Sequence, residues 1–481
     1  MITDLSAASL SEAIHAREVS CHEVMDAYLD RIDEQNPAVN AIVSRRDRGE
    51  LLAEADVCDL ELDHDLSRGW MHGMPQAIKD LADTKGIRTT SGSRLLAHVI
   101  PDHDCLMVAR MKAAGCIVVG KTNVPEFGKG SHSFNDVFGT TRNPFDLDRT
   151  AGGSSGGAAV ALATRMLPVA DGSDYMGSLR NPAGWNNIFG FRPSQGRVPA
   201  WPVSDTFISQ MGVEGPMGRT VLDVAMLLGT QAGYDVRAPL SLPGRLDEFA
   251  TVAQARRTLD HDPVETRIGW LGNLDGRLAM EAGILELCTD GLRTLAGLGC
   301  HVEPAMIDTD LDAVWDAWLV LRHLSVTTGL APLITHPGKR DLVKPEVLWE
   351  IDRGLALTAE EVSRASIART TFYTAMTALF ERFDVLAIPT AQVWPFPADE
   401  RWPQHIGDRE MDTYHRWMEC TLFATFAGLP AISVPVGFDD RGLPMGMQLI
   451  GRPRGDVEVL QLAAAYETTL AFTGVGLQSA P

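Results

Sequence analysis

The first forty residues place apolar positions at helical spacing along an otherwise polar chain. Ser20 followed by Glu23 reads as a capping box, and Val24, Met25, Tyr28, Leu29 and Ile32 form the apolar stripe behind it, as in an amphipathic helix. A shorter helix precedes it. Asn36–Pro37 is expected to end the pair, because the residue before a proline avoids helical backbone. From about residue 70 to 200 the pattern changes to short apolar runs, glycines and many serines and threonines. Ile117–Val119 and Leu167–Ala170 predict buried strands, and Asp104–Ala114 and Ala158–Arg165 predict helices between them. Such alternation predicts an α/β layer architecture. Residues 240–380 read as mostly helical, while 384–391 (DVLAIPTA) and 431–436 (AISVPV) read as core strands. Prolines inside those runs mark strand ends or bulges.

No internal repeat, low-complexity tract or linker divides the 481 residues, so a single domain is expected. Its parts are an N-terminal helical segment (1–65), a motif-rich core (66–235), a mostly helical insertion (240–380) and C-terminal core strands with a helix (384–481).

Composition narrows the function. With 45 % hydrophobic and 22 % charged residues the chain has the make-up of a soluble globular enzyme. A formal net charge of −21 argues against a nucleic-acid surface, which needs clustered Lys and Arg. The seven cysteines are scattered, odd in number and without a C-x-x-C pair. This disfavours a disulfide framework or structural zinc and suits a reducing, cytoplasmic setting. Asp4 and Glu12 near the start, with no basic or apolar lead, give no sign of a signal peptide. The uncharged stretch 420–438 is cut by Gly428, Pro430 and Pro435, so it reads as a buried helix end and a core strand, and no membrane span is expected.

Two motifs match by letters and fail by context. GCIVVGKT (115–122) spells a phosphate-cradling loop, but that loop needs a strand before it and a helix after its Lys. Here a helix-like stretch precedes, the middle is β-branched and Pro125 follows, so Lys121 reads as an ordinary strand-end residue. GGSSG (152–156) spells a nucleophile elbow, which requires a buried strand immediately before it. The preceding NPFDLDRTA is polar, and none of His301, His323, His336, His405 and His415 is marked as its partner.

Lys79 ends the apolar run MPQAIKD, where a strand would present it at a sheet edge. Taken alone it reads as a solvated lysine, although the chain holds only seven Lys against 35 Arg. What changes the reading is the succession of Lys79, GGSSGG (152–157) and DGSDYMGSLRNP (171–182).

In these stretches the chain resembles the amidase signature family, nearly end to end. The likeness is carried by GMPQAIKD (73–80), AAGCIVVGKTNVPEF (113–127), GTTRNPFD (139–146) and GGSSGG. It continues through DGSDYMGSLRNPAG (171–184), GPMGRTVLDVAMLL (215–228), DVLAIPT (384–390) and AGLPAISVPVGFDDRGLPMGMQLIGRP (427–453). The resemblance implies a large twisted mixed β-sheet with α-helices on both faces. It also implies hydrolysis or transfer of a C–N acyl bond with no metal or cofactor.

By that resemblance Ser178 is the acyl-forming nucleophile and Ser154 the serine on a cis peptide bond. A serine hydroxyl needs a base to remove its proton. Ser154 can relay it to neutral Lys79, since burial favours the uncharged amine whereas Arg stays protonated. The backbone N–H groups of Tyr175, Met176, Gly177 and Ser178 would form the oxyanion hole. Met176 stands where the family usually has glycine. The hole survives that change if Met176 avoids a positive φ, with its side chain in the acyl pocket or the layer beneath. Asp174 and Arg180 are expected to brace the turn as an ion pair, with Ser155 and Ser173 hydrogen-bonded to the same loops. Core is the default for Trp185, Trp201, Trp315, Trp318, Trp394 and Trp417, and 201–211 and 392–423 are the expected pocket rims.

Three functional readings result. The first is an amidase cleaving a small or aryl amide, with carbamates, ureas and hydrazides as further carbonyl substrates. Its partner is a small molecule, and a homodimer is the assembly left open. The second is the glutamine-hydrolysing subunit of a tRNA-dependent amidotransferase, from which the DYMGS turn and WNNIFGF (185–191) depart. The third, a silent scaffold, is disfavoured by the presence of Lys79, Ser154 and Ser178 together.

Overall fold

Residues 1–470 are described by the computed structural model, and eight of their strands form one mixed sheet. Across it run His301–Pro304, Arg267–Trp270, Val385–Pro389, Pro444–Gly451, Ala431–Phe438, Phe189–Arg192, Val213–Gly218 and Val169–Asp174. The first three are mutually parallel, and every later neighbour pairs antiparallel. Pro444–Gly451 is buried at every position, the mark of a strand covered on both faces. Gly446 and Met447 show this directly, because successive residues point to opposite sides of a sheet. A Cβ on Gly446 would meet Gly184 of the helix Arg180–Trp185, whereas Met447 reaches Gly291 of the helix Ile284–Gly297. Helices therefore flank both faces, as the resemblance implies.

A smaller sheet orders Ile42–Val43, Ile117–Thr122 and Pro75–Lys79. Its last strand lies at the edge, as expected of Lys79, and faces the end strand of the large sheet. The bridge is a side chain: the Lys79 amide donates to both carboxylate oxygens of Asp171, at 3.1 and 3.3 Å. One aspartate thus docks the base-bearing strand beside the strand that leads to Ser178.

The capping box forms as read, with the Ser20 hydroxyl accepting from the Glu23 amide and Glu23 accepting from the Ser20 amide. The helix does not stop at Asn36–Pro37 but runs Cys21–Val39. Asn36 ends it another way, its side chain accepting from the amides of Ala41 and Ile42 and donating to the Ile42 carbonyl. Within 240–380 the strands Arg267–Trp270 and His301–Pro304 complete the large sheet, and each spans only four residues. The stretch 420–438 folds as expected, a buried helix Leu422–Ala427 followed by the strand Ala431–Phe438. Segment 311–334 has the length and apolar composition of a membrane span. Arg322 and His323 in its middle are bound to the buried Glu350 of the neighbouring helix Pro345–Leu355. All seven cysteines are free and buried.

Candidate active site

Two segments converge on the Lys79 amine, the Ser154–Ser155 turn and the strand that carries Ser173. Lys79 is 1 % exposed at the end of its strand, and its Nζ lies 2.8 Å from the Ser154 hydroxyl and 2.8 Å from that of Ser155. Ser173 supplies its hydroxyl at 3.0 Å and its carbonyl at 3.1 Å. None of these partners carries charge. Burial therefore dominates, and although Asp171, Asp174 and Glu214 oppose it, the lysine is brought down to about 7. The arrangement holds an amine that gives up its proton near neutrality.

Ser154 follows a cis Gly153–Ser154 peptide bond and precedes the helix Gly156–Ala163. The chain before it is a short hairpin strand, Asp146–Thr150, not a strand of the central sheet. The elbow geometry is therefore missing, as the polar approach predicts. The phosphate-loop letters resolve likewise, with Gly120, Lys121 and Thr122 all inside the strand Ile117–Thr122. Lys121 is more deeply set than a strand-end residue, fully buried and donating to the Ala82 carbonyl and the Thr84 hydroxyl.

Ser178 stands between the strand Val169–Asp174 and the helix Arg180–Trp185 and is 6 % exposed. Its carbonyl accepts from the Ser155 amide at 3.2 Å. Among the described residues its hydroxyl makes no hydrogen bond to Ser154, so only the lysine half of the expected relay is formed. The turn is held by Asp174. Arg180 grips that carboxylate through Nε and Nη2, both at 3.0 Å, and Arg192 joins through Nη1 at 3.3 Å. Burial alone would raise Asp174, but the two guanidiniums outweigh it and hold the carboxyl well below its usual range. The expected brace is therefore a triad, with Arg192 its unforeseen member.

Asp174 also accepts from the Gly177 amide at 2.8 Å and the Leu179 amide at 3.2 Å. This corrects the expected oxyanion set, because the Gly177 N–H is already committed to the brace. The amides of Tyr175, Met176 and Ser178 have no acceptor among the described residues. Gly177, with φ of 85°, takes the left-handed conformation instead of Met176. The Met176 side chain, 3 % exposed, packs in the main core and not in the cavity. A Cβ on Gly177 would lie 2.6 Å from Thr421 Cγ2 and 2.7 Å from its Cβ. Gly177→Ala is therefore expected to lower stability by about 1–3 kcal/mol and to cut turnover more than that loss explains. Denaturant titration beside kcat of the folded fraction checks both.

A cavity of about 430 Å³ opens beside these groups, lined among others by Ser154, Ser173, Tyr175, Glu214, Lys129 and Gly128. Val203, Ser204, Asp205 and Ser209 form part of its wall, as expected of 201–211, but no residue of 392–423 does. Ser325, Thr328 and Gly329, from the long helix Leu311–Leu330, line it in their place. The tryptophans explain the difference. Trp417 stacks on Trp185 at 5.7 Å and, with Trp394, lies in the core. Trp315 and Trp318 are core residues too, while Trp201 is partly exposed under Arg237. The cluster of Cys58, Glu61 and His72 has the make-up of metal ligands but lines no part of this cavity. Both His72 ring nitrogens are already hydrogen-bonded there.

Sequence reasoning missed Glu214, Asp171 and Lys129. Glu214 faces Ser173 across the paired strands, and its Oε2 is buried without a partner. Burial, reinforced by Asp171, pushes it up to about 8 despite Lys79, so near pH 7 its proton is shared out with that of the lysine. Asp171 opens the DGSDYMGSLRNP stretch but carries no role there by itself, and no motif holds Glu214 or Lys129. The meeting of the two sheets brings Asp171 and Glu214 to Lys79.

Comparison with known proteins bears on the same arrangement. The family described as Amidase matches residues 23–460. The glutamyl-tRNA(Gln) amidotransferase subunit from Thermosynechococcus vestitus is 32 % identical over 475 residues, covering 94 % of this chain and 95 % of that one. An acylamidase of Rhodococcus erythropolis is 31 % identical over 466 residues, covering 96 % and 95 %. Among solved structures, a bacterial aryl acylamidase of the amidase signature family superposes with a TM-score of 0.89 at 31 % identity, covering 96 % of each chain. The chain belongs to the amidase family. It is an amidohydrolase acting on C–N bonds.

Proposed function

We propose that the chain is a serine amidase cleaving a small or aryl amide through an acyl-enzyme, with Lys79, Ser154 and Ser178 as its catalytic triad. The observation that carries this is the buried Lys79 amine, 2.8 Å from Ser154 and brought down to about 7. A neutral amine has two N–H groups and one lone pair. The Ser173 carbonyl can only accept, which leaves the lone pair to take a proton from the Ser154 hydroxyl. Ser154 in turn takes the Ser178 proton once substrate orders the two hydroxyls, a contact that commonly tightens only in the bound complex. Ser178 Oγ attacks the amide carbon, and the oxyanion meets the amides of Tyr175, Met176 and Ser178. Collapse expels the amine, which leaves with the proton returned through Ser154. Water then cleaves the acyl-serine ester by the same relay in reverse. Side chains and backbone amides fill every role in this sequence.

The amidotransferase reading draws on the relative from Thermosynechococcus vestitus, and the acylamidase reading on the relative from Rhodococcus erythropolis and the aryl acylamidase fold. We favour the second, with the enzyme cytoplasmic and working as a lone chain or homodimer. The purified chain is expected to hydrolyse anilides or aliphatic amides unaided. Turnover of glutamine only after partner subunits are added would establish the first instead.

A further inference from the structure

Several charged side chains that line the cavity are already committed. Asp174 is held by Arg180 and Arg192, and Asp205 accepts from the amides of Ile208 and Ser209. Glu214 is coupled to Lys79, burial pushing its carboxyl up to about 8. Lys129 differs. Its Nζ forms no ion pair or hydrogen bond among the described residues and lies 5.4 Å from the Tyr175 ring centre. The charges around it are Arg322, Lys344 and Glu350. Two of these repel it, and the third is saturated: Glu350 is bound by Arg322, His323, Tyr414 and His415. Lys344 donates to the Lys129 carbonyl at 2.6 Å, which fixes the backbone that presents the amine. The Tyr175 hydroxyl, on the same wall, is buried beside the Ser325 hydroxyl and makes no well-formed hydrogen bond.

The loop that carries Lys129 is built into the site. Phe127, Gly128 and Gly130 all have positive φ, and a Cβ on Gly128 would lie 2.8 Å from Leu81 Cδ1 and 3.5 Å from the Ser154 hydroxyl. Lys129 is therefore presented one residue beyond a point of contact with the proton relay. Burial and the neighbouring cations bring Lys129 down to about 7, and an anion that joins it in the cavity would hold it as the ammonium. Elsewhere the chain uses Arg for its charges, 35 against seven Lys.

We propose that Lys129 is an anion subsite, and that the preferred substrates are amides bearing a carboxylate close to the scissile bond, with the Tyr175 hydroxyl as a second donor. This rests on the amidase reading above and narrows it to a substrate class. The carboxylate can belong to the acyl part, as in a half-amide of a dicarboxylic acid, or to the amine part, as in an N-acyl amino acid.

The test uses the purified full chain and matched pairs that differ only in charge. Succinyl-4-nitroanilide is set against butyryl-4-nitroanilide for the acyl side, and N-benzoylglycine against N-benzoylglycine methylamide for the amine side. In one pair the charged member is expected to win by about 10- to 100-fold in kcat/KM, carried mainly by KM, the range of a hydrogen bond to a charged group. Lys129→Met should collapse that ratio toward one, and Lys129→Arg should keep most of it. Protection of Ser178 from a fluorophosphonate by succinate or hippurate, lost in Lys129→Met, reads the subsite even without turnover. Wild-type enzyme that hydrolyses the neutral members as well as the charged ones overturns the subsite and leaves the amidase standing. A chain that neither turns over any member nor labels at Ser178 overturns both.

Discussion

A fluorophosphonate is expected to label the wild-type chain at Ser178, and Ser178→Ala to abolish both labelling and amide turnover, with kcat falling by about 10⁴-fold or more. The expectation rests on three features of the turn. Ser178 lies in the segment where the strand Val169–Asp174 gives way to the helix Arg180–Trp185. The turn is pinned by a carboxylate that two buried guanidiniums hold ionised. The amides of Tyr175, Met176 and Ser178 meet no protein acceptor among the described residues. A nucleophile at this position would have oxyanion donors organised before the substrate arrives. Ser154→Ala should also be severely impaired, yet adding it to Ser178→Ala should cost little more. Groups that act as one unit are strongly non-additive. Mass spectrometry of the labelled peptide decides the assignment, and a modified Ser154 or Ser155 would return the nucleophile to the GGSSG segment.

How far this site can be read in the sequence depends on what each residue does locally. The Ser20 cap, the buried strands and the rejection of both decoy motifs rest on nearest neighbours in the chain, and the structure bears each of them out. Ser155 and Ser173 came with the family motifs, but their grip on the Lys79 amine was not visible, because 94 residues separate Lys79 from Ser173. Arg192 and Glu214 are harder still. Each belongs to a short strand whose register against Val169–Asp174 or its neighbours sets what the side chain meets. The strands Arg267–Trp270 and His301–Pro304 are too short for a periodic signal, so the region around them reads as helical. Residues 392–423 look like a rim because they lie beside family motifs yet differ from the usual pattern. Packing sends Trp394 and Trp417 to the core, and the helix Leu311–Leu330 supplies that wall.

Replacing Lys79 by Arg or Met is expected to lower kcat/KM by at least ~10²–10⁴-fold, the usual contribution of a general base, while the protein stays folded. Arginine keeps a cation in place but cannot accept a proton, so it separates base catalysis from simple charge. The pH dependence carries the same message with a definite sign. Burial brings Lys79 down from 10.5 to about 7, so its active neutral form is depleted below that value and dominant above it. Wild-type kcat/KM should therefore rise through an apparent pKa near 7 and level off on the alkaline side. Glu214, pushed up to about 8, titrates close by and interacts with Lys79, so the observed value belongs to the coupled pair and not to the lysine alone. Glu214→Gln provides the control. Removing an ionisable carboxyl that favours the ammonium should move the midpoint downward without abolishing the rise. Single substitutions of His301, His323, His336, His405 and His415 should leave the midpoint where it is, since none of them is hydrogen-bonded to Lys79 or among the charges that shift it. His323 and His415 bind Glu350, so their loss should show in stability before it shows in kcat. An active Lys79→Arg enzyme, or a profile that is level from pH 6 to about 9, would transfer the role of base to another group.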